Sequence, residues 1–317
     1  MLRRHRKFLI FGHVEPDGDC VASQLVLAEF LRRRGRQAEV FSEGPFDRPE
    51  TVEFRGRFRR ELGPQDLEGG AVAVVMDCST PERVGAFAGA IEGLPTVVID
   101  HHASGREFGS IRWVTPRAAA TSLLVQRLIE RFPGTPSAAE AELLLFGLAT
   151  DTGFFRHLEA DSKEVFSAVS RLTAAGASPR SVYGRMHGGR SLAKVHLLAK
   201  NLEQARFELG GRVLLTSQSL EDVRGGEGTS PQGPTRGSDE AYRILQSVEG
   251  VEVVVFVREE AAGRCAVGLR SNGEVDVGAL AAELGGGGHR RAAGYTFPGT
   301  VGEAETRLLA ALQGRLR

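Results

Sequence analysis

Four short deposits of acid and imidazole, each following an apolar segment, are the residues of this chain best suited to chemistry. The first is His13-Val14-Glu15-Pro16-Asp17-Gly18-Asp19, after the run ending at Phe11. Pro16 and Gly18 force an irregular loop there, so three ligand-type side chains can converge without helical spacing. The second is Asp77, after the apolar run 72–76. The third is Asp100-His101-His102, after Val97-Val98-Ile99, and the fourth is Asp151 in Ala149-Thr150-Asp151-Thr152-Gly153. Alone, each acid would be an ordinary turn or cap residue and His13 an ordinary surface histidine. Together they describe a site for two divalent cations, and paired cations joined by a bridging carboxylate are suited to hydrolysis at phosphorus. Asp77, which lies between the other strand tips in the chain, is the candidate bridge. A carboxylate and imidazole set without a thiolate favours Mn²⁺, Mg²⁺ or a similar ion over a structural Zn²⁺.

The elements that must hold these residues are legible as an alternation of strands and helices. Residues 8–11, 38–41, 71–76 and 96–99 read as strands, residues 20–34 as a helix ending at Gly35, and 81–91 as a helix with Thr80 as cap and Pro81 at its first position. This alternation implies an α/β fold with a mainly parallel sheet flanked by helices, whose ligands collect at the carboxyl ends of the strands. Helical stretches follow at 118–131, 138–149 and 163–175, and residues 192–207 read as one polar helix linking two bodies. Strands at 213–216, 251–257, 265–270 and 295–297, a helix at 277–284 and a glycine-rich turn at 285–294 make a smaller mixed α/β domain. Residues 225–237, rich in glycine and proline, read as a mobile loop. The expected organisation is 1–190, a connecting helix at 191–207, and 208–317.

Composition narrows the class. The 317 residues exceed one ordinary core, and 41% hydrophobic with 25% charged residues is usual for a soluble globular protein. A formal charge of zero argues against clamping long duplex nucleic acid, and leaves a short anionic substrate held by local cations. Three scattered cysteines, Cys20, Cys78 and Cys265, do not form a disulfide framework, and no apolar run approaches a membrane span or a signal sequence. The expectation is a cytoplasmic protein without membrane partners, compatible with a homodimer.

In the second half, Gly286-Gly287-Gly288-His289 offers unobstructed backbone N–H groups, and Arg270-Ser271-Asn272 ends a strand with a guanidinium, a hydroxyl and an amide suited to phosphate. The absence of an interleaved aromatic and basic stripe favours a substrate a few nucleotides long.

These residues resemble the DHH phosphoesterase superfamily, named for the triplet that here is Asp100-His101-His102. His13, Asp17 and Asp19 are similar to its first motif, Asp77 to its second, Asp151-Thr152-Gly153 to its fourth, and 286–294 to the glycine-rich motif of the DHH-associated C-terminal domain. Chain length and Asp151-Thr152-Gly153-Phe154-Phe155-Arg156 resemble the nano-RNase/pAp-phosphatase type. The resemblance implies His13, Asp17 and Asp77 around one Mn²⁺ (or Mg²⁺ or Co²⁺) and Asp19, Asp77, His101 and Asp151 around a second. It implies hydrolysis of short single-stranded RNA and of 3′-phosphoadenosine 5′-phosphate by a hydroxide bridging the two ions, with His102, Asp77 and Asp100 as catalytic residues. One departure is Ala22-Ser23, where the family usually has glycine-serine. Competing expectations are a linear or cyclic dinucleotide phosphodiesterase, a single-strand DNA exonuclease, and a non-catalytic nucleotide-binding module. The last is disfavoured because no ligand position is lost.

Overall fold

The computed structural model describes residues 4–103, 105–224 and 238–316, so the 225–237 stretch lies outside the described residues. The chain divides into two compact units, Met1–Gly189 and Arg190–Arg317.

In the first unit five strands, β1 (Lys7–Phe11), β2 (Gln37–Phe41), β3 (Val72–Met76), β4 (Thr96–Asp100) and β5 (Ile111–Val114), form a parallel sheet in the order β2-β1-β3-β4-β5. Strand alternation explains the unbroken apolar runs. Phe8, Ile10, Val72, Val74 and Met76 enter the core on one face, while Leu9, Phe11, Ala73 and Val75 enter the core on the other. The helices are α1 (Gly18–Arg32), the single turns α2 (Pro64–Leu67) and α3 (Phe87–Ala90), then α4 (Thr121–Glu130), α5 (Ala138–Asp151), α6 (Lys163–Ala174) and α7 (Pro179–His187). The expected helix over 81–91 is broken, because Gly85 takes φ 69° and separates a short 3₁₀ turn from α3. The four-residue strand β5 had no apolar alternation to betray it, since it is a half-exposed edge strand.

The second unit holds a six-stranded mixed sheet in the order β10-β11-β9-β8-β7-β6, in which only β7 and β8 run parallel. Its strands are β6 (Arg206–Glu208), β7 (Val213–Gln218), β8 (Val253–Ala261), β9 (Arg264–Ser271), β10 (Gly287–His289) and β11 (Ala292–Phe297). Helices α11 (Val277–Glu283) and α12 (Val301–Gln313) pack on one face. On the other, α8 (Leu192–Glu203) and α10 (Ser238–Gln246) meet Leu214, Val254 and Phe256. A further short helix, α9 (Leu220–Arg224), precedes the undescribed segment. Thus α8 is part of this unit, packed through Leu198 and Leu202, and it ends at Glu203 before the chain turns into β6. The glycine-rich turn is in fact an edge hairpin: Gly287 pairs with Gly294, Gly288 with Ala293 and His289 with Ala292. Glycine carries no strand signal, yet a Cβ at Gly286 would sit 2.2 Å from the Gly294 carbonyl, so the close approach requires it. No helix among the described residues is long and apolar enough to cross a membrane.

Convergence of α1, α4 and α5 positions the first unit's site, and it depends on Gly147. A Cβ there would lie 2.9 Å from the Cβ of Ala22, 2.9 Å from that of Ser122 and 3.0 Å from Asp19 Oδ1. The alanine that stands in place of the expected glycine at position 22 is therefore accommodated by a glycine opposite. Gly147→Ala gains up to about 1 kcal/mol of helix propensity, but overpacking costs about 1–3 kcal/mol. The substitution is expected to lower the urea midpoint, and Ala22→Gly added to it should restore part of the loss. Additive effects in that double-mutant cycle would refute the compensation.

Candidate metal centre

The strand order places a reversal between β1 and β3, because the chain leaves β1 for β2 on one side and returns to β3 on the other. Such switch points open a crevice at the carboxyl ends of the strands. His13 follows β1 and Asp77 follows β3, on the two sides of this crevice. Asp77 extends the ladder by donating its N–H to the Ile99 carbonyl (3.0 Å) and turns out of the strand at φ 57°. A non-glycine residue in that conformation carries strain, a mark common at functional sites.

Each remaining side chain is aimed by its element. Asp17 caps α1, accepting from the Cys20 N–H at 3.0 Å. Asp19, fully buried, accepts from the N–H groups of Thr121 (2.6 Å) and Ser122 (2.8 Å), and so supplies from about a hundred residues away the cap that Ala120 cannot. Asp151 is the last residue of α5. His101 and His102 leave the end of β4.

The result is a ring of donors around Asp77. His13 Nε2 lies 3.5 Å from Asp77 Oδ2 and 3.7 Å from Asp17 Oδ2. On the other side, His101 Nε2 lies 3.6 Å from Asp77 Oδ1 and 3.0 Å from Asp151 Oδ2, and Asp19, His101 and Asp151 bring ligand atoms within 4.8 Å of one another. Ligands about 2.1 Å from a shared ion stand about 3.0–3.4 Å apart, so this spacing fits cations. Two of the imidazoles turn the same edge toward these carboxylates. His13 Nδ1 donates to the Val14 carbonyl (2.7 Å) and His101 Nδ1 to the Ala118 carbonyl (3.2 Å), leaving each Nε2 lone pair for a cation. His102 differs, since its Nδ1 donates to Asp100 Oδ1 at 2.7 Å. Asp100 also accepts from the N–H groups of His101 and His102, which makes it the brace of the triplet.

Electrostatics agree with the spacing. Burial, then the charges of Asp77 and Asp151, push the Asp19 carboxyl well above its usual range, and burial raises Asp151. Burial alone would lower His101, but the hydrogen bond to Asp151 and the charges of Asp151, Asp77 and Asp19 lift it to about 10.

A family model for the N-terminal domain of the DHH family matches residues 7–148, and one for the DHHA1 domain matches residues 233–317. The bifunctional oligoribonuclease and PAP phosphatase NrnA of Thermus thermophilus is 32% identical over 97% of this chain and 89% of its own length. The chain belongs to the DHH family. The cyclic-di-AMP phosphodiesterase GdpP of Geobacillus thermodenitrificans is 28% identical over 96% of this chain, which spans 47% of that protein. Among solved structures, an exopolyphosphatase-related protein from Bacteroides fragilis superimposes with a TM-score of 0.82 at 26% identity, covering 99% of this chain and 94% of that one.

The DHHA1 part carries the other residues singled out in the sequence. Arg270 is half-buried on β9 with its guanidinium 4.4 Å from the centre of the Tyr242 ring. Buried Ser271 bonds the Gly273 turn, and the Asn272 amide ties the Gln246 and Val251 carbonyls, so both hold the loop. Gly286 and Gly288 are required by the hairpin, while Gly287 and His289 are exposed on its edge.

Sequence reasoning missed three contributors in the first unit. The Thr121 hydroxyl donates to Asp77 Oδ1 at 2.9 Å, and the backbone N–H groups of Thr121 and Ser122 donate to Asp19. Their one sequence signal was a Thr-Ser pair opening a helix. The third is Cys20, whose sulfur joins His13 and Asp77 in a buried group of ligand atoms within 4.8 Å of one another. The donor set is therefore not free of sulfur, as the motif residues alone suggested.

Cation binding needs neutral imidazoles and ionised carboxylates, while His101 is lifted to about 10 and burial raises Asp19 and Asp151, so protons compete with a cation here. Affinity for a divalent cation should therefore rise with pH up to about pH 10, with protons released on binding. Calorimetry in two buffers of different ionisation enthalpy measures that release; a pH-independent affinity would contradict the assignment.

Proposed function

We propose that this protein is a metal-dependent phosphoesterase that cuts RNA oligomers of a few nucleotides to mononucleotides and converts 3′-phosphoadenosine 5′-phosphate to AMP. The observation that carries this reading is Asp77, whose two oxygens face two separate donor sets. Likeness to an oligoribonuclease and PAP phosphatase over nearly the whole chain supports the substrate class. His13, Asp17 and Asp77 would hold one cation, and Asp19, Asp77, His101 and Asp151 the other, with Mn²⁺ first and Mg²⁺ or Co²⁺ as substitutes. When bound, such a pair neutralises phosphate oxygens and lowers the pKa of water.

The chain's own residues supply orientation and a proton. The Asp100 carboxylate raises the pKa of His102, so the imidazole stays protonated to higher pH with Nε2 as its remaining edge. Such a group suits proton donation to the leaving oxygen. Beside it lies a cavity of about 310 Å³ whose lining includes Ser79, Arg106, Phe108 and Arg112, which we assign to the leaving nucleoside. In the second unit Arg270 and His289 are assigned to substrate phosphate. Three free, buried cysteines are in keeping with action in the reducing cytoplasm.

Two measurements test this. A turnover panel in Mn²⁺ with pAp, RNA of two to five nucleotides, cyclic dinucleotides and pyrophosphate should favour the first two. Asp77→Ala should lower both rates by about 10³-fold or more, as expected for losing several kcal/mol of charge stabilisation. Preference for cyclic dinucleotides would transfer the reading to the phosphodiesterase class. Separately, Asp100→Asn removes the anion that raises His102, so the alkaline limb of the rate profile should move to lower pH. An unmoved limb would exclude His102 as the proton donor.

A further inference from the structure

We propose that Cys20 makes the His13 side of the centre a site for thiophilic divalent cations, of the Zn²⁺ or Cd²⁺ class, which bind there in place of harder ions. The inference rests on the two-position reading above and adds a donor to it.

The geometry is local and buried. Cys20 lies in the first turn of α1, three residues after the Asp17 cap, and Asp17 holds it there through the Cys20 N–H. His13, Cys20 and Asp77 are all nearly or fully shielded from solvent, and their ligand atoms lie within 4.8 Å of one another. Asp17 Oδ2, 3.7 Å from His13 Nε2, stands ready as a fourth donor. One sulfur, one imidazole nitrogen and two carboxylate oxygens is a four-donor set that a borderline-soft, tetrahedral ion accepts readily.

Two neighbours are arranged around the sulfur. Gly12 ends the β1 run without a side chain, and a Cβ there would stand 2.3 Å from Cys20 Sγ and 2.3 Å from Gln24 Nε2. Gln24, fully buried, donates through Nε2 to Cys20 Sγ at 3.3 Å, while its Oε1 is buried with no partner. An amide that offers its N–H to sulfur and leaves its oxygen unused favours sulfur as an acceptor, the form it takes as a thiolate ligand. On binding, the S–H bond gives its proton to solvent and its electron pair to the cation, so charge and atoms balance.

Cobalt reads this directly, because Co²⁺ fills hard and soft sites alike and reports a sulfur ligand by a near-ultraviolet charge-transfer band. The full-length protein, stripped of metal and titrated with Co²⁺, should develop that band together with visible ligand-field bands. Cys20→Ser should lose the charge-transfer band and keep the ligand-field bands, and Cys78→Ser should keep both. Competition should show the affinity ratio of Zn²⁺ to Mn²⁺ falling about 10–100-fold in Cys20→Ser. Ligand-field bands without charge transfer in the unaltered protein would overturn the inference and leave the two-cation reading standing. A band that survives Cys20→Ser, or vanishes in Cys78→Ser, would overturn it as well. No cobalt bound at all would instead bring down the reading on which it rests. Cys20→Ala, compared with Cys20→Ser by circular dichroism, guards against a folding defect, and the result on the unaltered protein stands without either variant.

Discussion

The first unit is organised around a repulsion. Asp17, Asp19, Asp77 and Asp151 crowd one end of a sheet, and two like charges about 4 Å apart cost about 4 kcal/mol at the dielectric of a partly solvated site. The fold relieves part of this without any ion. The N-terminal amides of α4 donate to Asp19, the Thr121 hydroxyl donates to Asp77, and the Cys20 N–H donates to Asp17. The remainder is left for imidazoles, protons or cations, and it adds to the burial that chiefly raises the carboxyl pKa values of Asp19 and Asp151. A scaffold built only for stability would not bring these acids together.

Holding them in place falls to the two covered faces of the parallel sheet. With both faces buried, β1 and β3 cannot slip in register without exposing an entire apolar set. That rigidity lets Asp77 keep a left-handed backbone conformation whose strain is about 1–3 kcal/mol. The Ala22 and Gly147 pair serves the same end, since it sets how closely α1 and α5 approach and hence where Asp19 lies.

This logic also explains what could be read from the sequence. Covered parallel strands are unbroken apolar runs, so the polar residues that end them stand out, and His13, Asp77 and Asp100-His101-His102 were visible for that reason. Asp151 was visible at the end of an apolar helix. Thr121 and Ser122 were not, because they meet Asp19 across a separation of 102 and 103 residues and no local pattern encodes that meeting. Cys20 stood in the sequence only as one of three scattered cysteines at the start of a helix, and its full burial gives it no polar signature. In the second unit, β10 was hidden because Gly287 and Gly288 within it, like Gly285 and Gly286 before it, carry no strand propensity, and pairing with β11 alone makes it a strand. Ser271 and Asn272 looked like phosphate ligands by type, but a hydroxyl and an amide serve a turn equally well, and here they do.

The three imidazoles show how one residue type is divided between tasks. His13 and His101 each give the Nδ1 proton to a neutral backbone carbonyl, which fixes the tautomer and adds no full charge. Their Nε2 atoms then face carboxylates at 3.0–3.7 Å, the company expected of a cation's ligands. His102 gives the same proton to a carboxylate, and that anion favours the imidazolium. The side chain is also more exposed than His13 or His101. His13 and His101 thus turn Nε2 toward carboxylates, whereas on His102 the carboxylate sits at Nδ1. The difference lies in what accepts at Nδ1, and it follows from β4 ending in a carboxylate directly before its two histidines.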